Sequence, residues 1–262
     1  MPRPNQALRS GKVKVRGVPT SDGGREVEPN QVTYEPRSAR IQPGRDLAIV
    51  HRDKHLAVVW KPSGLLSVAA PKRGRDDNLV TACARMFGKA HPVHRLDEGT
   101  SGLMLVALTQ PAQIGLKKLF EDHDIERRYL ALVHKHFPMK DMVRTSTLGR
   151  GKDGRRASVR GEGQSSTTHL RGLEDLPRGI SLVQAQLETG RTHQVRIHLS
   201  EMGHPVVGDT LYGRRRNHFK RLALHASVLA FRHPMTGQKM RFDAGLADDI
   251  ERYRRHLLSE AR

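Results

Sequence analysis

Apolar residues recur along this chain in short blocks separated by charged, Gly- or Pro-containing stretches, and the period within each block predicts its element. Leu47-Ala48-Ile49-Val50 and Leu56-Ala57-Val58-Val59-Trp60 flank a polar run, residues 51–55, which predicts a hairpin. Lys61-Pro62-Ser63-Gly64-Leu65 ends it as a turn. Leu79, Cys83, Met86 and Phe87 fall near helical spacing and predict a helix from about Asn78. Residues 103–108 are a continuous apolar run, as in a strand buried on both faces. Residues 111–122 predict an amphipathic helix with Ile114, Leu116, Leu119 and Phe120 toward the core. Strands are expected over 126–133, 180–187 and 224–231, the last returning over 239–242 after a turn at 233–237. Between them, residues 142–173 predict short strand-like pieces around a polar loop, 149–163. Thr192 is the expected N-cap of a helix running to about Met202, with Gly203 as its stop. Residues 247–258 predict a closing amphipathic helix.

Residues 1–40 fit none of these patterns. They mix Pro, Gly, Ser and charge, with Arg3, Arg9, Lys12, Lys14 and Arg16 near the start, and predict a basic disordered arm before one folded domain over 41–262. Charge narrows the partners further. Lys and Arg number 46 against 27 acidic residues, a net +19, which implies a polyanion, with nucleic acid ahead of an anionic membrane. The loops at 71–77 and 149–163 and the cluster Arg214, Arg215, Arg216, Lys220 and Arg221 concentrate that charge. No apolar run approaches the ~20 residues of a membrane span, and residues 1–20 lack the apolar centre of a signal peptide. The single Cys83 excludes an intramolecular disulfide framework and fits a reducing, cytoplasmic setting. An aromatic content of 4% counts against stacking a succession of bases, so RNA would be held mainly by charge and shape. Nothing in the sequence demands a protein partner or more than a monomer.

The chemistry concentrates in His94-Arg95-Leu96-Asp97, followed by Thr100-Ser101-Gly102 and the buried run. An imidazole, a guanidinium and a carboxylate thus sit at the mouth of a strand, where a rigid scaffold can hold them. By residue type alone, a lone loop carboxylate in a basic protein suggests metal-free work on RNA. A glycosidase commonly uses two carboxylates, and Glu98 points away from Asp97 on an extended chain. His193 and His198 lack the i,i+4 spacing of helical zinc ligands, so no metal is expected. No G-x-G-x-x-G or P-loop sequence is present. A His-dependent ribonuclease and a non-catalytic RNA-binding or folding factor both stay open on these grounds.

Four stretches resemble, in order, the RluA-type RNA pseudouridine synthases. They are His94-Arg95-Leu96-Asp97 with Thr100-Ser101-Gly102-Leu103; Arg127-Arg128-Tyr129-Leu130-Ala131; Thr189-Gly190-Arg191-Thr192-His193-Gln194-Val195-Arg196-Ile197-His198; and Leu224-His225-Ala226 with His233-Pro234-Met235-Thr236-Gly237. Lys61-Pro62-Ser63-Gly64-Leu65 and the run Gly203-His204-Pro205-Val206-Val207-Gly208-Asp209-Thr210-Leu211-Tyr212-Gly213 continue the likeness, which spans about residues 45–250. Glu98-Gly99 departs from it, standing where Arg-Asp is frequent. The resemblance implies an α/β (α+β) catalytic fold with a mixed, mainly antiparallel sheet and flanking helices. It implies isomerisation of uridine to pseudouridine in structured rRNA or tRNA, without cofactor. Asp97 would be the catalytic carboxylate, Arg196 its partner, and Tyr129 the residue stacked on the uracil and placed for proton transfer at C5. Arg95 would fill the space of the everted nucleotide, and Arg191, His193 and Lys61 would contact RNA. His94 would orient the loop, and Asp209 and Tyr212 would be structural.

Overall fold

The computed structural model describes residues 48–69, 78–151, 153–213 and 219–260, together with the backbone of 13–15, 18–19 and 32–34. The chain divides into two units, Met1–Asp46 and Leu47–Arg262. In the first, β1 (Val13–Val15), β2 (Val18–Pro19) and β3 (Val32–Tyr34) form an antiparallel sheet in the order β2-β1-β3. The rest of the expected arm, the loop 71–77, Lys152 and the Arg214-Arg215-Arg216 run lie outside the described residues.

The second unit is built on an eleven-stranded sheet whose strands in chain order are β4 (Ala48–Arg52), β5 (Leu56–Lys61), β6 (His91–Pro92), β7 (Ser101–Ala107), β8 (Ile125–His134), β9 (Asp141–Arg150), β10 (Arg156–Ser158), β11 (Gln164–Leu176), β12 (Ile180–Leu187), β13 (Leu224–Arg232) and β14 (Lys239–Asp243). Across the sheet the order is β10-β9-β11-β12-β8-β13-β7-β5-β4, with β14 beside β13 and β6 beside β7. These named pairings are antiparallel except for β13 with β7. The helices among the described residues are α1 (Leu79–Phe87), α2 (Gln110–Glu121), α3 (Gln194–Glu201) and α4 (Asp248–Ser259). Among the described residues no helix is long and apolar enough to cross a membrane.

Side-chain alternation splits the core into two layers. Ala57, Val59, Met104 and Val106 face one side, with Leu79 and Cys83 of α1, Val195 and Leu199 of α3, and Ile250 and Leu257 of α4. Leu56, Val58, Leu103 and Leu105 face the other, against Ala112 and Leu116 of α2. Both faces of β5 and β7 are therefore covered, as their unbroken apolar runs require, and each buried Leu or Val contributes roughly 1.5–3 kcal/mol. Asn78 caps α1 by accepting from the Thr81 N–H at 3.0 Å. Burial pushes the Cys83 thiol up to about 12, so it packs as a small apolar side chain.

Two elements differ from expectation. The stretch 142–173 forms two long paired strands, β9 and β11, where short pieces are expected. Their inward positions include Ser166 and Thr168, both fully buried, whose hydroxyls bond His198 of α3 at 3.1 and 2.9 Å. A polar inner face satisfied by a histidine hides the apolar alternation of a strand. Thr192 is not the N-cap of α3. That helix begins after His193, which takes a left-handed conformation (φ 60°) and makes no side-chain cap. Gln194, 2% exposed, fixes the turn: its Oε1 accepts from Thr189 Oγ1 (2.8 Å) and Arg191 N (3.0 Å), and its Nε2 donates to Thr167 O (3.0 Å).

The parallel contact positions the site. Gly102 opposes Ala226 of β13, and Ala226 opposes Tyr129 of β8. At Gly102 (φ 119°) an added Cβ would collide with the Ala226 backbone, so only glycine allows this approach. The turn preceding β7 is thereby set beside the middle of β8.

Candidate active site

Asp97 lies in that turn, closed by the Thr100 N–H donating to the Asp97 carbonyl at 3.0 Å. Glu98 is thus part of a tight turn and not of an extended chain. The segment following β5 slings the turn from below. Ser67 Oγ donates to Leu96 O (2.7 Å) and accepts from Leu96 N (3.0 Å), Ser63 Oγ donates to Gly99 O (2.7 Å), and Gly64 N donates to Glu98 O (2.8 Å). Lys61 completes the sling. It is fully buried, and its Nζ donates to Pro62 O, Leu65 O and Glu98 O at 2.9, 2.7 and 3.0 Å. Burial pushes its ammonium down to about 7, against the pull of Asp97 and Glu98. The expectation that Lys61 contacts RNA does not hold, because its three donors are used inside the fold. His94 also faces inward: Nε2 accepts from the Leu105 N–H at 2.9 Å, the ring stacks on Phe120, and burial pushes its pKa down to about 3.

From α3, Arg196 reaches across 99 positions of sequence to Asp97, with Nη1 donating to Oδ2 at 3.2 Å. The guanidinium is itself held by Asp209, through Nε to Oδ2 (2.7 Å) and Nη2 to Oδ1 (2.9 Å), and Asp209 also accepts from the N–H groups of Leu211 and Tyr212. Burial opposes the charge of both partners, yet the pairing outweighs it: the Arg196 pKa is raised and the Asp209 pKa lowered. One arginine thus serves two carboxylates, a fixed one beneath it and one facing the cleft. The Tyr212 ring lies under the guanidinium at 5.1 Å. His193 Nε2 is 3.8 Å from Asp97 Oδ1, its Nδ1 is hydrogen-bonded to Tyr212 Oη (2.9 Å), and burial lowers its pKa.

Asp97, His193 and Arg196 line a cleft of ≈ 620 Å³. Tyr129 forms part of its wall, 8% exposed, its phenol pushed up to about 12 by burial. Arg127 stands two residues earlier on the same face of β8. Arg191 lines the cleft with its Nε donating to Ser165 O at 3.1 Å, and the exposed Arg95 stands at the mouth. The structure thus brings together Asp97, Tyr129, Arg196, Arg95, Arg191 and His193, and sets Lys61 apart. Arg127 is a cleft residue that sequence reasoning leaves as a mere match to a basic position; its signal is inward alternation with Tyr129. Among the described residues no three His, Cys, Asp or Glu side chains converge as a metal-ligand set.

Residues 55–201 match the family model described as RNA pseudouridylate synthase. The chain is 42% identical over 240 residues to the ribosomal large subunit pseudouridine synthase D of Zymomonas mobilis, covering 82% of this chain and 74% of that protein. It is 34% identical over 217 residues to the dual-specificity RNA pseudouridine synthase RluA of Haemophilus ducreyi, covering 74% and 90%. The solved structure of human RNA pseudouridylate synthase domain containing 1 is similar over 84% of this chain and 98% of that one, with a TM-score of 0.65 and 27% identity.

Proposed function

The chain belongs to the RNA pseudouridylate synthase family, and from that premise we propose that Asp97 is the carboxylate with which it isomerises uridine to pseudouridine in RNA. The observation that carries this reading is a half-buried carboxylate paired with a clamped arginine on the floor of a cleft walled by a tyrosine. The N1–C1′ bond breaks and its electron pair leaves on the uracil. The ring turns while bound, C5 joins C1′, the C5 proton departs and N1 gains a proton. Asp97 acts on the sugar, either by attack at C1′ or by removing a ribose proton. Arg196 neutralises it without competing for the ribose, because Asp209 fixes the guanidinium from the opposite side.

Tyr129 stacks on the uracil. With its phenol pushed up to about 12 it stays protonated at neutral pH, so stacking and hydrogen-bond donation suit it better than accepting the C5 proton. Arg95 occupies the gap left by the everted nucleotide, whose extrusion costs a few kcal/mol. Arg191 and His193 border its backbone. Residues 41–262 are the catalytic domain, acting as a monomer in the cytoplasm, and the basic arm 1–40 adds phosphate contacts. Large-subunit ribosomal RNA is the substrate class inferred, from the names of relatives such as the Zymomonas protein. The test is carbodiimide mapping of pseudouridine in RNA from a deletion strain and its complemented parent. A large-subunit uridine whose signal vanishes on deletion and returns on complementation supports the reading; unchanged maps reject it.

A further inference from the structure

Arg127 takes no part in the steps above, yet it is 8% exposed and lines the cleft. Its Nη2 donates to the Glu188 carbonyl at 2.9 Å, and its guanidinium lies 5.4 Å from the Phe120 ring centre. Its Nε–H is buried without a hydrogen-bond partner. Among the described residues no carboxylate forms an ion pair with it. The Glu188 carboxylate turns to His169, and Glu126, on the opposite face of β8, pairs with Arg128 and Arg241. The chain makes room for the group: a Cβ at Gly190 would come within 2.5 Å of Arg127 Nη1. Taking a guanidinium out of water without a counter-charge costs several kcal/mol, and an unmet buried donor costs about 1–3 kcal/mol more. Such a site suits an anion present for only part of the catalytic cycle.

On the isomerase reading two anions would enter this cleft. Phosphates are charged throughout and follow the backbone past the exposed Arg95. The other anion exists only after the glycosidic bond has broken. Resting on the isomerase reading, we infer that Arg127 is a catalytic residue that stabilises the detached uracil anion. Its free Nε–H, beside the ring stacked on Tyr129, donates to the uracil oxygen that gains charge as the N1–C1′ pair moves onto the base. The charge disappears when that pair forms the C5–C1′ bond, so no co-reactant is needed. Donors aimed at developing charge in a site closed to water are among the largest catalytic contributions.

The test uses the full chain and transcripts of large-subunit ribosomal RNA made with uridine or with 5-fluorouridine, whose base leaves as a more stable anion. Single-turnover rates are read by nucleoside chromatography and mass spectrometry, as pseudouridine formed on the uridine transcript and as loss of the target nucleoside on the fluorinated one, whose C5 has no proton to lose, so that its rearranged base keeps fluorine and takes up water across N1–C6. Arg127→Gln is expected to slow the uridine transcript about 10²–10³-fold while changing the RNA Kd by less than about threefold. On the fluorinated transcript its deficit is expected to shrink by about tenfold or more, because less charge stabilisation is required. Arg127→Lys, which keeps the charge but loses the Nε–H, should fall between, and it supplies the same two-transcript comparison should Arg127→Gln unfold. Equal deficits on both transcripts would mean that Arg127 only shapes the cleft. Lost affinity with a shallower salt dependence and an unchanged rate would mean a phosphate contact. Either result overturns the inference. A wild-type protein that forms no pseudouridine overturns the isomerase reading instead, and that control separates the two failures.

Discussion

Asp209→Asn tests whether a clamp beneath Arg196 sustains the catalytic pair. The Asp209 carboxylate is fully buried and accepts four hydrogen bonds, from Arg196 Nε, Arg196 Nη2, Leu211 N and Tyr212 N, at 2.7, 2.9, 2.9 and 3.0 Å. Oδ1 takes three of them, so an asparagine oxygen would settle there. Its NH2 would then face the Arg196 Nε–H, donor against donor. The Nε bond is lost and the guanidinium, 11% exposed, keeps its charge with half its counter-charge gone. Removing one member of a buried pair typically costs about 3–5 kcal/mol; with Asp97 still present the lower end, about 3 kcal/mol, is expected. At roughly 2–4 °C per kcal/mol for a unit of this size, the melting temperature should fall by about 6–12 °C. The single-turnover rate should fall with it, because Arg196 is free to rotate away from Asp97. Scanning calorimetry and rapid-quench kinetics on the same preparation check both. A variant with the wild-type melting temperature and rate would refute the reasoning.

Lys61→Met should take the donor from the Pro62 and Leu65 carbonyls and leave the Glu98 carbonyl with the Gly64 N–H alone, lowering stability and rate while the RNA Kd and its salt slope stay at wild-type values; a shallower slope would restore Lys61 as a phosphate contact. Tyr129→Phe should keep most of the activity and Tyr129→Ala should lose it, as steady-state kinetics would show; matching losses would mean that stacking is not the main contribution. Burial pushes His94, His198 and His225 down to about 3, 4 and 3, so they are neutral in the fold and must bind protons on unfolding below pH 6.5. The unfolded state then holds more protons, and stability should fall as pH drops from 6.5 toward 4, by about 1.4 kcal/mol per unit for each imidazole. Calorimetry near pH 5 should register uptake of about three protons beyond the carboxylate contribution; no uptake would contradict the burial of these rings.

What the sequence reveals follows from which forces leave a periodic trace. β5 and β7 are legible because both faces are apolar, and α1 because Leu79 and Cys83 recur at helical spacing after Asn78. β9 and β11 are not, because serines and threonines meeting His198 replace the apolar inward positions. Lys61 misleads for a related reason. A lysine reads as solvent-facing until the chain brings the Glu98 carbonyl back over it. The placing of Arg196 beside Asp97 is invisible to local reasoning, since the two lie 99 positions apart; the motif resemblance supplies it. Arg127 escapes notice because an arginine alternating inward on a strand has no sequence mark of its missing partner.

The central claim is that the Asp97 carboxylate performs chemistry and does not merely brace the turn. Asp97→Asn keeps the side-chain shape and the backbone hydrogen bond that closes the turn. Pseudouridine formation should be measured under single-turnover conditions at RNA concentrations above the Kd, alongside that Kd. The account predicts no detectable pseudouridine with the RNA Kd within about threefold of wild type. Product formed at a rate near that of the wild type would contradict it.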